Sequence, residues 1–213
     1  MRLVLVTNRK LAPNQLVGTG LAGERFLDVV REAVAGGADT VVLREHDATA
    51  KELFTLATEC KEIAHARGAK FIVNHSLDVA LAVEADGVHL GWRSLPAREV
   101  RKIAPQPFLV GVSAHSVGAA ERCAAEPVDY LFLGPIFSTP SKAGLVEPLG
   151  VEAIRAAKKA VKFPVIAIGG IKPENVREVM AAGADGVAVI SAIMGADNAR
   201  EAAAKLSEAI RGA

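Results

Sequence analysis

Four stretches decide the fold: GGADTVVL (residues 36–43), VEADGVHL (83–90), EPVDYLFL (126–133) and AGADGVAV (182–189). Each sets an aspartate, Asp39, Asp86, Asp129 or Asp185, directly before a short apolar run. The aspartates lie 47, 43 and 56 residues apart. A weak internal repeat of this length holds two strand–helix units per interval. Working outward, the apolar runs are LVLVT (3–7), TVVLRE (40–45), KFIVN (70–74), GVHLG (87–91), FLVGVS (108–113), YLFLG (130–134), PVIAIGG (164–170) and GVAVIS (186–191). They are continuously apolar rather than alternating, as strands buried on both faces of a parallel sheet are. Helical spacing fills the intervals. Residues 22–35 carry Phe26, Val29, Val30 and Ala33, and residues 49–66 carry Leu53, Leu56, Ala57, Cys60 and Ile63. A helix over Pro173–Ala182 opens on proline and stops at Gly183. The reading is an α/β protein, a single (β/α)8 TIM barrel over residues 1–213 with no second domain. An open doubly wound sheet would carry GxGxxG after Thr7, and this chain does not.

Composition narrows the function. Of 213 residues 51% are hydrophobic, 23% charged and only 4% aromatic, so the core is aliphatic and the chain is not disordered. Lys and Arg total 25 against 24 Asp and Glu. That balance argues against a nucleic-acid partner, which favours a basic face. No apolar run approaches the roughly 20 residues of a membrane span. The opening MRLVLVTNRK is too short in apolar residues for a secretory signal and reads as a strand. Cys60 and Cys123 sit in helical stretches outside any CxxC spacing, which excludes a disulfide scaffold. These features point to a cytoplasmic protein, and the Ala-rich helices are compatible with a homo-oligomer.

Fold alone names no reaction, but barrel chemistry sits at the C-terminal ends of the strands. There the sequence places Thr7 and Asn8, Arg44 to His46, Asn74 and His75, His89, Ser113 and His115, Gly169 and Gly170, and Ile190 and Ser191. Four of the five histidines (46, 75, 89, 115) fall in or just after strands 2 to 5. Gly169-Gly170 after strand 7 and Ile190-Ser191 after strand 8 match the usual phosphate site of such barrels, where glycines let amides approach an anion. The connection after strand 6, residues 134–150, is the longest in the chain and carries Thr139 and Lys142. Its length suggests a lid, with Lys142 a point charge over an anionic ligand. His46, His75 and His115 come from three strands and raise the question of zinc. Without a carboxylate pattern beside them, no metal site is read here.

PVIAIGGIKPENV, AGADGVAVISAIMG, FIVNHSLDVALAVEADGVHLG and GPIFSTPSK together resemble the thiamin phosphate synthase/TenI family, from Leu3 to the last helix. The resemblance implies a barrel of thiamin metabolism that binds phosphorylated thiazoles and pyrimidines. Its synthase branch joins a pyrimidine diphosphate to a thiazole phosphate with Mg²⁺, and reads Q-x-R-x-K at strand 2, N-D at strand 3 and G-Q-x-D after strand 4. This chain has Val42 and His46 for the Gln and Lys, and His75 and Ser94 for the two metal-holding aspartates. Mg²⁺ prefers hard oxygen ligands. The substitutions therefore point to the other branch, the metal-independent thiazole tautomerase, an isomerase that aromatises a carboxythiazole phosphate. Lys142-Ala143-Gly144-Leu145 resembles the K-x-G-L of that branch, and Ser113-Ala114-His115-Ser116 its S-x-H-S context.

On that reading His115 is the acid/base group, since imidazole both accepts and donates a proton near neutral pH. Arg44, His46, Asn74, His75, Ser113, Thr139 and Lys142 bind a small phosphorylated thiazole, and Gly169, Gly170, Ile190 and Ser191 hold its phosphate. No cofactor is needed. Two alternatives stand beside it. One is a divergent thiamin phosphate synthase whose substrate phosphates recruit Mg²⁺ without the aspartates. The other is a non-catalytic regulator that binds a thiazole phosphate.

Overall fold

The structure, a computed structural model, describes residues 1–12, 22–139 and 147–213. Eight parallel strands close into a barrel in sequence order, with β8 hydrogen-bonded to β1. They are β1 (Leu3–Val6), β2 (Thr40–Leu43), β3 (Lys70–Asn74), β4 (Gly87–Leu90), β5 (Leu109–Ala114), β6 (Tyr130–Leu133), β7 (Val165–Ile168) and β8 (Gly186–Val189). The α1 (Ala22–Ala35), α2 (Ala50–His65), α3 (Leu77–Ala82), α4 (Ala97–Ile103), α5 (Val117–Cys123), α6 (Glu152–Ala160) and α7 (Val176–Ala181) helices link consecutive strands. The α8 (Ser191–Met194) and α9 (Ala199–Arg211) helices follow β8. All eight apolar runs are strands, each within a residue or two of its expected ends.

The capping chemistry of α2 is legible in the sequence. Thr49 accepts from the Glu52 amide while the Glu52 carboxylate accepts from the Thr49 amide, a closed capping box. The helix expected over Pro173–Ala182 starts later, at Val176. Asn175 is the reason. Its Oδ1 accepts from the Lys172 amide at 2.8 Å and its Nδ2 donates to the Gly170 carbonyl at 3.0 Å, holding residues 173–175 as a turn.

Two cores result from the pleat. Residues facing outward from the strands pack against the helices, with Leu3, Leu5, Val41, Leu43, Phe71 and Val73 among them. Alternate residues face inward: Val4, Val6, Val42, Ile72, Tyr130, Phe132, Ile166 and Ala188 fill the barrel. Continued past the strand ends, the same alternation brings Arg44, Asn74, Ser113 and His115 to the mouth.

The aspartate repeat has a structural role at the opposite end. Asp86 Oδ2 accepts from the Phe71 amide at 2.7 Å while its own amide donates to the Phe71 carbonyl at 2.9 Å. Asp129 makes the same pair with Val110 (2.6 and 2.8 Å) and Asp185 with Val165 (2.7 and 2.9 Å). Asp39 accepts from the Arg2 amide at 2.6 Å and donates to the Leu3 carbonyl at 3.0 Å. Each even-numbered strand, β2, β4, β6 and β8, is thus clamped by its own leading aspartate to the odd-numbered strand immediately before it, β1, β3, β5 and β7. Helix side chains complete three of the clamps: His65 on Asp86, Arg101 on Asp129 and Lys158 on Asp185.

Asp129→Ala should therefore lower unfolding stability by about 1–3 kcal/mol, because it strips an acceptor from the Val110 amide and a partner from Arg101. A chemical denaturation midpoint at pH 7 measures it. Burial pushes the Asp86 carboxyl up, but the bonds from Phe71 and His65 outweigh it and hold it below its ordinary value. Its contribution is then present above the unfolded-state pKa and lost as pH falls through the lower folded value. Asp86→Asn should flatten the acid limb of a stability–pH profile relative to the parent protein.

Candidate active site

The floor of the mouth is a neutral, aromatic layer. His89 Nε2 lies 2.8 Å from Ser113 Oγ and its Nδ1 3.2 Å from the Tyr130 hydroxyl. Its ring packs 4.2 Å from that of Phe132, centroid to centroid. Burial, followed by the charges of His75 and Arg44, pushes the His89 imidazole down to about 3. It is therefore uncharged at physiological pH and serves to orient Ser113.

On the β2–β4 side the mouth is cationic. Arg44 follows β2, held by its amide donating 2.9 Å to Thr7 Oγ1. His46 and His75 face one another with ring centroids 5.5 Å apart. His75 adopts the left-handed backbone region at φ 66°, which costs a β-carbon-bearing residue of order 1 kcal/mol. Two bonds hold it there: its amide donates to the His89 carbonyl at 2.9 Å, and its Nδ1 lies 2.7 Å from Ser94 Oγ. Ser94 Oγ also accepts from the Gly91 amide at 3.0 Å. A side chain at Gly91 would collide with the His75 ring, so the glycine is required by that approach. Burial, then Arg44, His75 and Arg93, pushes His46 down to about 4, and burial with Arg44 and Arg93 lowers His75.

The acids nearby are engaged elsewhere. Glu45 Oε1 accepts from Thr7 Oγ1 at 2.6 Å and from the Arg9 amide at 3.1 Å, and Asp47 pairs with Arg9 and Lys10. Neither the Arg44 nor the Arg93 guanidinium forms an ion pair with a described residue. Arg93 lies over the Trp92 ring at 5.2 Å. Arg93 was not among the expected site residues. The signal was its position beside Ser94, in the loop where the resemblance puts ligand contacts.

His115 stands after β5, between the two sides. Its Nδ1 lies 2.6 Å from the Gly134 carbonyl, which only accepts, so Nδ1 carries the hydrogen. Nε2 is left to face the mouth, where the side chain is exposed.

On the β7–β8 side the mouth is built of backbone. Gly169 and Gly170 both have positive φ, 100° and 66°. A β-carbon at 169 would lie 2.7 Å from Pro135 Cα, and one at 170 would lie 2.7 Å from Phe137 Cβ and the Ser138 carbonyl. The glycines are thus demanded first by the leg of the β6–α6 connection that packs on them. That leg is pinned by Ile136 and Phe137 amides donating to the Ile168 and Gly169 carbonyls at 2.9 and 3.0 Å. The returning leg, Leu149 and Gly150, pairs with Pro135 and Ile136. Thr139 is half-buried on this connection, and Lys142 with the K-x-G-L stretch lies outside the described residues. Ile190 and Ser191 open only the four-residue α8.

The Mg²⁺ that the resemblance attaches to a coupling reaction takes hard oxygen ligands, one or two carboxylates among them. Its two expected positions hold an imidazole and a hydroxyl already bonded to each other and to an amide. Among the described residues no group of three or more His, Cys, Asp and Glu side chains converges on a common point. These residues do not fit a carboxylate-held divalent ion. Nor is any helix among the described residues long and apolar enough to cross a membrane.

The mouth of this barrel thus offers cationic side chains on one side and glycine-rich backbone on the other. Residues 5–193 match the thiamine monophosphate synthase family, and the chain belongs to it. It is 46% identical over 92% of its length to the thiamine-phosphate synthase of Moorella thermoacetica, covering 93% of that protein. It is 47% identical over 90% to that of Methanoculleus marisnigri, covering 90% of that one. The solved structure of thiamine phosphate pyrophosphorylase from Pyrococcus furiosus superposes with a TM-score of 0.87 at 35% identity, over 99% of this chain and 96% of that one.

These comparisons overturn the isomerase expectation. The relatives bear synthase names, so the lost aspartates at positions 75 and 94 do not by themselves move the chain out of that branch. The resemblance treated two carboxylates as decisive, although the charge of a diphosphate can be met by other cations.

Gly91→Ala should push the His75 ring off Ser94. Imidazole NMR resonances should report it as a change at His75 with His89 unmoved. In the parent protein the His89 ring resonances should stay in their neutral form from pH 8 down to pH 5, since that group titrates near 3.

Proposed function

We propose that this chain is a thiamine-phosphate synthase, a transferase that couples a pyrimidine diphosphate to a thiazole phosphate. The observation that carries the reading is the division of the mouth into two anion-accepting arcs across an uncharged floor. Arg44, His46, His75 and Arg93 occupy β2 to β4, and the backbone of Gly169, Gly170, Ile190 and Ser191 occupies β7 and β8. A reaction between one diphosphate and one monophosphate needs two such places. The synthase names of relatives at 46% and 47% identity support the same reaction.

In the reaction the pyrimidine's methylene carbon parts from a diphosphate oxygen, which leaves with the bonding pair, and the carbon bonds to the thiazole ring nitrogen. Cations at the leaving oxygens stabilise the charge that develops there. Arg44 and Arg93 supply fixed charge. The β7–β8 loops seat the thiazole phosphate, with Thr139 of the β6–α6 connection beside it. Asn74 and Ser113 line the floor on which the two rings meet, Ser113 oriented by His89. His115 lies between the arcs, and once its Nε2 has taken a proton from solvent it can pass that proton to the departing diphosphate.

Purified protein given both substrates should release thiamine phosphate and diphosphate in equal amounts. Absence of product from a folded preparation, with or without Mg²⁺, would overturn the reading. Gly170→Val should raise the KM for thiazole phosphate about tenfold or more by displacing the Phe137–Ser138 leg from the anion's seat, with less effect on the pyrimidine substrate. His115→Gln should lower kcat by ~10²-fold, in the range of a lost general acid, while both KM values stay within a few-fold.

A further inference from the structure

Resting on the coupling reaction above, we propose that the arc of Arg44, His46, His75 and Arg93 binds the diphosphate directly and takes up a proton in doing so, the protonated imidazoles standing where a carboxylate-held cation would. Three observations lead there. The Arg44 and Arg93 guanidiniums both act on His46 and His75, and neither forms an ion pair with a described residue. Two imidazoles lie ring to ring at 5.5 Å beside them. And the strand 3 and strand 4 positions, which a hard cation would need as carboxylates, are a His–Ser pair closed on the Gly91 amide.

The electrostatics run in the required direction. In the free protein burial and the two guanidiniums disfavour the charged imidazoles, holding His46 near 4 and lowering His75. A diphosphate ester brings about two to three negative charges near neutral pH. It offsets the guanidiniums and adds attraction of the opposite sign, so the charged imidazole becomes the favoured form on binding. Ser94 suits both states of His75: its hydroxyl donates to a bare Nδ1 and accepts from a protonated one. The other charged groups facing the pair are few. Asp47 opposes the guanidiniums at His46 but is held by Arg9 and Lys10, and His89 beneath stays neutral. Asp78, on α3, lines the outer groove shared by His75 and Arg93.

The test uses inorganic pyrophosphate and the full chain. Calorimetric titration with EDTA present, at pH 7 in two buffers of different ionisation enthalpy, should show metal-free binding with net proton uptake. The double variant His46→Gln, His75→Asn, in which asparagine tolerates the left-handed backbone at 75, should bind about tenfold or more weakly and lose the uptake in excess of pyrophosphate's own titration. A melting curve checks that it folds. In the reverse design, His75→Asp with Ser94→Asp should make pyrophosphate binding depend on Mg²⁺. Binding by the parent protein only with Mg²⁺, or unchanged affinity and uptake in a folded double variant, overturns the proposal. Metal-free binding with proton uptake but no thiamine phosphate product would uphold this site and remove the coupling reaction. Product formation that EDTA abolishes would keep the reaction and remove this site.

Discussion

The barrel depends on a reciprocal bond at its base: an aspartate whose carboxylate accepts a neighbouring strand's amide while its own amide donates to that strand's carbonyl. In Asp86, Asp129 and Asp185 both bonds go to a single residue, Phe71, Val110 and Val165. A carboxylate accepting backbone N–H and a side-chain cation together makes stronger bonds than neutral pairs do. Placed where a strand begins, it sets the register before any apolar residue is reached. A slip of one residue would turn Val42, Ile72 and Ala188 out of the barrel, so this register decides which residues face inward. With the charges at the base thus satisfied in pairs, the opposite end is left free to carry charge unpaired.

That freedom shows in the contrast between floor and rim. Tyr130, Phe132 and a neutral His89 form a dry layer beneath the mouth. Above it neither the Arg44 nor the Arg93 guanidinium forms an ion pair with a described residue, and Arg93 lies over the Trp92 ring. A low-dielectric floor sharpens every charge placed on it. The same floor that depresses the imidazoles in the free protein would strengthen their hold on a bound anion. Rigidity at the base, neutrality in the middle and uncompensated charge at the top are consequences of one alternating pattern of side chains read upward along each strand.

Much of the site was legible from order alone. The eight apolar runs, the residues at their ends and the glycine turn at Gly169-Gly170 all follow from period and position. The role of those glycines did not. Reading them as an anion's approach misses Pro135 and Phe137, which lie 34 and 33 residues earlier in the chain and press on Gly169 and Gly170. The Pro173 helix start failed for a similar reason, since Asn175 bonds back to Gly170 and Lys172 and outweighs proline's preference for a first turn. The branch was misread because the absent carboxylates were taken as decisive, whereas relatives named as synthases match the chain at 46% and 47% identity.

By itself the sequence determined the barrel, because continuous apolar runs and leading aspartates are local features that each residue carries with it. It also determined which residues reach the mouth, since a strand's pleat has a period of two. Only the tertiary structure decided what those residues are when they arrive. It paired His75 with Ser94, set His46 against His75, tied His115 to the Gly134 carbonyl and left the Arg44 and Arg93 guanidiniums without an ion pair among the described residues. Protonation and charge are properties of neighbours across the barrel, and a chain read in one dimension does not contain the distances on which they depend.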